Sequence, residues 1–131
     1  MAKIERFEDI EAWKRSRQLT HRIHAVSRQG EFAKNFGLRN QICRAAVSTM
    51  SNIAEGFERG GNQEFIQFLS IAKASSGEVR AQLYVALDEG YISQQQFDEL
   101  YSDANTISRL IAGFINYLQR SNLRGSKYSQ R

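Results

Sequence analysis

At 131 residues the chain is one domain's worth, long enough to bury a single core, and its complete lack of proline with long periodic segments points to an all-α protein. A single cysteine, Cys43, excludes an internal disulfide and suits a reducing cytoplasm. The net charge of +4 is uneven: four of the 18 Lys and Arg lie in an acid-free tail, leaving 14 bases to face the 14 Asp and Glu of the body. The charged opening MAKIERFEDI is not followed by an apolar run, so no secretory signal is expected. No stretch approaches the length of a membrane span, and a cytoplasmic location follows as the expectation.

The first predicted helix runs from about Glu8 to Gln29, with Gly30 as a natural C′ residue. Ala12, Ser16, Leu19, Ile23 and Val26 recur at helical spacing and face the core, widened at the start by Ile10 and Trp13. Lys14, Arg17, His21, His24 and Arg28 recur on the far side as a basic stripe.

A second helix is predicted from about Leu38 to Arg59, with Ile42, Ala46, Met50, Ile53 and Phe57 inward and Cys43, Val47 and Ala54 beside them. Its opposite face carries Arg44, Ser48, Asn52, Glu55 and Arg59. Gly60 and Gly61 form a hinge that tolerates positive φ, and Asn62 is expected to cap the third helix, which continues to about Asp88. Phe65, Phe68, Leu69, Ala72, Ser76, Val79, Leu83 and Ala86 should face inward. The small run Ala72-Lys73-Ala74-Ser75-Ser76-Gly77 predicts a close helix crossing.

Ser93 and Gln96 make a capping box for the fourth helix. Phe97, Leu100, Ala104, Ile107, Ile111, Phe114 and Leu118 hold a strict three-four repeat there, and Leu110, Ile115 and Tyr117 broaden the apolar arc. Short connections make neighbouring helices antiparallel, so the expected fold is an up-down-up-down four-helix bundle over residues 1–118. A basic, flexible tail over 119–131 follows, carrying Arg120, Arg124, Lys127 and Arg131.

The stretch SNIAEGFERGGNQEF concentrates the polar residues that could carry chemistry. Glu55 could act as a general base with Asn52 orienting a substrate, but no second catalytic group stands at a recognisable spacing. The plainer reading, a polar helix face that is either solvated or bonded to another helix, is preferred, with Asn52 and Glu55 expected to bond across to another helix or protomer. Gly60-Gly61-Asn62 lacks the lysine and the preceding strand of a phosphate loop and reads as a turn. His21 and His24 stand among cations and lack an Glu-x-x-His partner, which argues against a metal site. Cys43 reads as a small core residue. What remains is electrostatic: the stripe and the tail suit a phosphate backbone, bound with strong salt dependence and little sequence preference.

FEDIEAW (Phe7–Trp13), FGLRNQICRAAVSTMSNIAEG (Phe36–Gly56), NQEFIQFLSIAKASSGEVRAQL (Asn62–Leu83) and Gly90-Tyr91-Ile92 together resemble the bacterial four helix bundle proteins, also called 23S rRNA intervening-sequence proteins and once labelled ribosomal proteins. The likeness spans Phe7 to Leu118. It departs at Thr49-Met50, where the family often has Ile-Pro, and at Ala74-Ser75, where it often has Gly-Ser; both changes favour straighter helices. The resemblance implies a homopentameric ring without enzymatic activity or cofactor. A related branch serves diversity-generating retroelements, binding nucleic acid and a reverse transcriptase through basic surfaces. No catalytic residue is carried over.

The expectation is therefore a non-enzymatic homo-oligomer, most simply a pentamer, that binds RNA or DNA through Lys14, Arg17, His21, Arg28, Arg120, Arg124 and Lys127. Arg44, Ser48, Asn52, Glu55 and Gly56 form a structural signature. The rival is a scaffold that docks another protein without nucleic acid.

Overall fold

The computed structural model describes residues 4–124, with side chains through Ser121. A 3-10 turn at Phe7–Asp9 precedes five helices: α1 (Glu11–Ser27), α2 (Gly30–Lys34), α3 (Phe36–Glu58), α4 (Asn62–Asp88) and α5 (Gln94–Arg124). No strand occurs among the described residues.

The long helices form a helical bundle. α3 packs on α4, α4 on α5, and α1 on both α3 and α5. Side-chain pairs between α3 and α4 run in opposite residue order: Gln41 with Gln82, Ser48 with Ser75, Phe57 with Phe65. The α4–α5 pairs do the same, from Asn62 with Leu118 through Ser76 with Ala104 to Tyr84 with Phe97. The core is the aliphatic interior of these four helices, with Ile23, Ile42, Ile53, Leu69, Leu83, Ile107 and Ile111 fully buried.

The expected inward faces of the third and fourth predicted helices are buried, apart from Phe68 and Phe114, which are partly exposed. The second predicted helix is rotated slightly from its expected face. Ala45, Thr49 and Gly56 are buried, while Met50 and Phe57 are only partly so. The reason is size: α4 approaches so closely here that the large side chains move to the flanks and small ones take the contact line.

The expected single helix over 8–29 is a short 3-10 turn followed by α1, which stops at Ser27. Gly30, with φ of 53°, closes that end and opens the unpredicted α2, whose Phe32 is fully buried and stacks on Tyr91 at 5.4 Å. α3 begins two residues earlier than expected because Asn35 caps it, its Oδ1 accepting from the Leu38 backbone N–H at 3.0 Å. The Asn35 amide also donates to the Tyr91 hydroxyl at 3.1 Å, tying the α2 turn to the α4–α5 connection.

Two turn expectations need correcting. Gly60 takes the left-handed backbone, with φ of 85°, but Gly61 is extended at −111°. Asn62 does not cap α4: Gly61 stands at the cap without a side chain, and the Asn62 amide reaches across to the Leu118 carbonyl at 3.4 Å. The Ser93–Gln96 capping box forms in both directions, at 2.8 and 3.1 Å. α5 carries on to Arg124, past the expected boundary at 118, because no glycine or proline lies between Leu118 and Gly125.

Candidate functional site

The expected basic stripe does not form one face. Lys14, Arg17 and His21 line a groove of about 700 Å³ with Trp13, Gln18 and Arg22, and Arg17 lies 6.0 Å from the centre of the Trp13 ring. His24 turns the other way. It is partly buried, its Nδ1 is 2.9 Å from the Thr20 carbonyl, and it lines a separate groove of about 340 Å³ with Cys43, Arg44, Val47 and Ser48. His24 stands on the α3 side of the stripe, against Cys43, Val47 and Ser48. Consequently His21 and His24 serve different grooves. Arg28 follows α1 as its C-cap and is exposed.

The cations differ in whether they are already neutralised. Arg15 pairs with Glu11 on α1, and Arg22 pairs with both Glu99 and Asp103 on α5. Lys14, Arg17, His21 and Arg28 form no ion pair among the described residues. Trp13, which periodicity assigns to the core, is only partly buried; the Phe7 ring meets it edge-on at 5.1 Å. Its role in flooring the groove was hidden because one residue can serve both a core edge and a surface. Arg120 is an exposed residue of α5, Arg124 ends that helix, and Lys127 lies outside the described residues.

The Arg44–Ser48–Asn52–Glu55–Gly56 signature resolves into four separate tasks. Ser48 Oγ is 2.9 Å from Ser75 Oγ on α4, and Asn52 donates its amide to the Ser48 carbonyl at 2.8 Å and to Ser48 Oγ at 3.0 Å. Asn52 thus supports a contact between helices at one remove. Glu55 does not reach another helix: it accepts from Arg59 at 3.0 Å on α3 itself, an exposed pair. Arg59 also lies over the Phe68 ring at 4.9 Å. Arg44 is exposed, forms no ion pair among the described residues, and borders the grooves on both sides of Ser48. Gly56 is a packing position, buried with no room for a Cβ beside Phe65 and Phe68.

No group of three or more His, Cys, Asp or Glu with metal-binding placement occurs among the described residues, and no described helix is long and apolar enough to cross a membrane. Asp9 has its carboxyl held below the ordinary carboxylate range, chiefly by the Glu5 backbone N–H at 3.1 Å, helped by the Arg6 N–H and its charge. The Tyr84 hydroxyl is pushed up, chiefly by the charge its neighbour Tyr101 would carry. Neither group belongs to the α1 groove.

The crystal structure of a protein of unknown function from the S23 ribosomal protein family of Bacteroides thetaiotaomicron VPI-5482 is similar in fold. The TM-score is 0.74 at 24% identity, over 79% of this chain and 97% of that one. No curated protein matches. The family model for the 23S rRNA-intervening sequence protein matches residues 8–113, which include the α1 groove, the Asn52 signature and most of α5. The chain belongs to the 23S rRNA-intervening sequence protein family.

Proposed function

We propose that the protein is a non-enzymatic, cytoplasmic homo-oligomer that holds the phosphate backbone of RNA or DNA against its basic surfaces. The observation that carries this reading is the unpaired state of Lys14, Arg17 and His21 along one groove, while Arg15 and Arg22 beside them are neutralised. Unpaired surface cations release phosphate counterions without first breaking an ion pair. Arg28, Arg120, Arg124 and Lys127 extend the charge. The opposite order of the α3–α4 and α4–α5 pairs supports an antiparallel up-down-up-down arrangement of α1, α3, α4 and α5, with α2 as a short turn anchored by Phe32.

Assembly as a ring, most simply a pentamer, would add the weak charge of each copy. Exposed Val47, Ile71 and Val85, each more than 40% accessible, supply apolar surface for contacts between copies. Asn52 and Glu55 spend their hydrogen bonds on Ser48 and Arg59, which supports a structural role for them.

Gel shifts at low salt test the reading. Binding should weaken steeply as salt rises, and the triple change Lys14→Gln, Arg17→Gln, Arg28→Gln should reduce it by at least tenfold. Light scattering reads the oligomer number, and a monomer removes the additive charge. The exposed apolar side chains also favour a second reading, a scaffold that docks another protein such as a reverse transcriptase. A pull-down unaffected by nuclease, from a protein that shifts no nucleic acid, would establish that reading instead.

A further inference from the structure

A second cationic groove lies between α4 and α5, away from α1. It has a volume of about 550 Å³, and Ser70, Lys73, Gly77 and Arg80 on α4 face Asn116 and Gln119 on α5 across it. No lining residue is acidic.

Arg80 is the centre of this groove. Its side chain is held in place rather than free in solvent. Arg80 Nη2 donates to Ser108 Oγ at 3.4 Å; Ser108 Oγ donates to Ser76 Oγ at 2.9 Å, and Ser76 Oγ donates to the Ala104 carbonyl at 2.9 Å. The guanidinium carbon lies 6.0 Å from the centre of the Tyr101 ring. A Cβ built on Gly77 would stand 3.4 Å from Nη2, which places the guanidinium directly beside the glycine backbone.

Despite this positioning, Arg80 makes no ion pair among the described residues, and its buried Nε has no acceptor. The residues beyond Ser121 hold no Asp or Glu side chain that could serve. A partly desolvated, positioned cation without a counter-charge is costly unless a ligand supplies one. Arginine's planar fork suits the two free oxygens of a phosphodiester.

We infer that the α4–α5 groove is a binding site for the backbone of single-stranded nucleic acid, with Arg80 and Lys73 on the phosphates and the half-exposed Tyr84 ring as a stacking surface for a base. This rests on the proposed nucleic-acid function and adds the site and the strandedness. Two helices packed side by side, with axes about 8–10 Å apart, leave a furrow too narrow for a duplex. Lys73 and Arg80 stand about two helical turns apart along it. Tyr84 follows one turn after Arg80, 49% exposed and backed by Phe97 and Tyr101 at 4.9 and 5.7 Å. Basic side chains interleaved with an aromatic platform give binding that tolerates any base.

Fluorescence anisotropy with a labelled oligothymidylate of about fifteen nucleotides, and with a duplex of the same length, tests the site. Arg80→Gln should weaken oligothymidylate binding about tenfold, and Lys73→Gln about threefold, with the duplex affected much less. Arg80→Lys should recover only part of the loss. Lys73 is exposed, so its variant reports binding without a folding defect, and thermal melts guard the Arg80 variants. If wild type binds oligothymidylate and all three variants bind it equally well, the groove is not the site and the inference falls alone. If wild type binds neither probe, the nucleic-acid function falls and takes this site with it. If polyglutamate at equal charge binds as tightly and is lost equally in Arg80→Gln, the groove serves acidic protein segments and the inference is overturned.

Discussion

Gly56 on α3 lies so close to Phe68 on α4 that a Cβ at position 56 would stand 2.6 Å from the Phe68 Cβ and 2.9 Å from Phe65 Cδ1. The backbone of α3 therefore rests directly on the side chains of α4, one turn beyond Asn52. A Cβ on one helix meeting the Cβ of another cannot be relieved by a rotamer change, since neither atom moves without its backbone. Gly56→Ala should cost about 1–3 kcal/mol by forcing the helices apart. Urea unfolding measures it, with Gly60→Ala as the comparison. At Gly60 nothing stands within 4 Å, and the cost, about 1–2 kcal/mol, comes from the left-handed backbone alone.

Ser76 is the matching close contact on the other side of α4. It is fully buried, and its hydroxyl joins the α5 backbone at Ala104 to Ser108. Ser76→Ala should lose about 1 kcal/mol. Ser76→Leu should lose more, about 1–3 kcal/mol, by overpacking the α4–α5 line. Thermal melts of the pair separate the hydrogen bond from the space it occupies. Loss of stability in Ser76→Ala equal to that in Ser76→Leu would mean that space is not the constraint.

Phe32 holds the short helix α2 to the body through full burial and its stack on Tyr91. Phe32→Ala should destabilise by about 3–5 kcal/mol. Hydrogen exchange across 28–36 should rise sharply in that variant, since so short a helix has little stability without its tertiary anchor.

Asp9 links the N-terminal turn to pH. Its folded carboxyl is held below the ordinary value of 3.8, first by the Glu5 N–H and then by Arg6. A lowered folded value means that ionised Asp9 favours the folded turn. That contribution is complete above the unfolded value and is lost as pH falls from 3.8 through the lowered folded value. Asp9→Asn should remove this part of the acid limb, a difference read by comparing melts of the two proteins over that range.

Much of the secondary structure was legible because it rests on local rules. The α5 repeat from Phe97 to Leu118, the Ser93–Gln96 capping box and the inward face of α4 all follow from helical period and side-chain hydrogen bonding within a few residues. Asn35 was equally local, an asparagine whose amide oxygen meets the N–H three residues on, yet the apolar pattern drew the helix start to Leu38. Phe32 gave no such signal: five residues are too few for a period, and only Tyr91, far along the chain, explains its burial.

The candidate sites divide in the same way. Composition and spacing named Lys14, Arg17 and His21 as surface cations, since charge resists burial wherever a helix lies. Which cations are free and which are spent was decided by the tertiary structure, because Glu99 and Asp103 reach Arg22 only when α5 packs beside α1. Arg80 drew no attention as one arginine shortly after the small-residue run of α4. Its place over Gly77, its bond to Ser108 and its lack of a counter-charge exist only where α4 and α5 meet. Sequence by itself determined the four long helices and the sign of the charge, because both depend on neighbours within a turn or two. Tertiary structure decided which glycine and serine carry the contacts and which cations stand unpaired, because those depend on what a distant segment brings alongside.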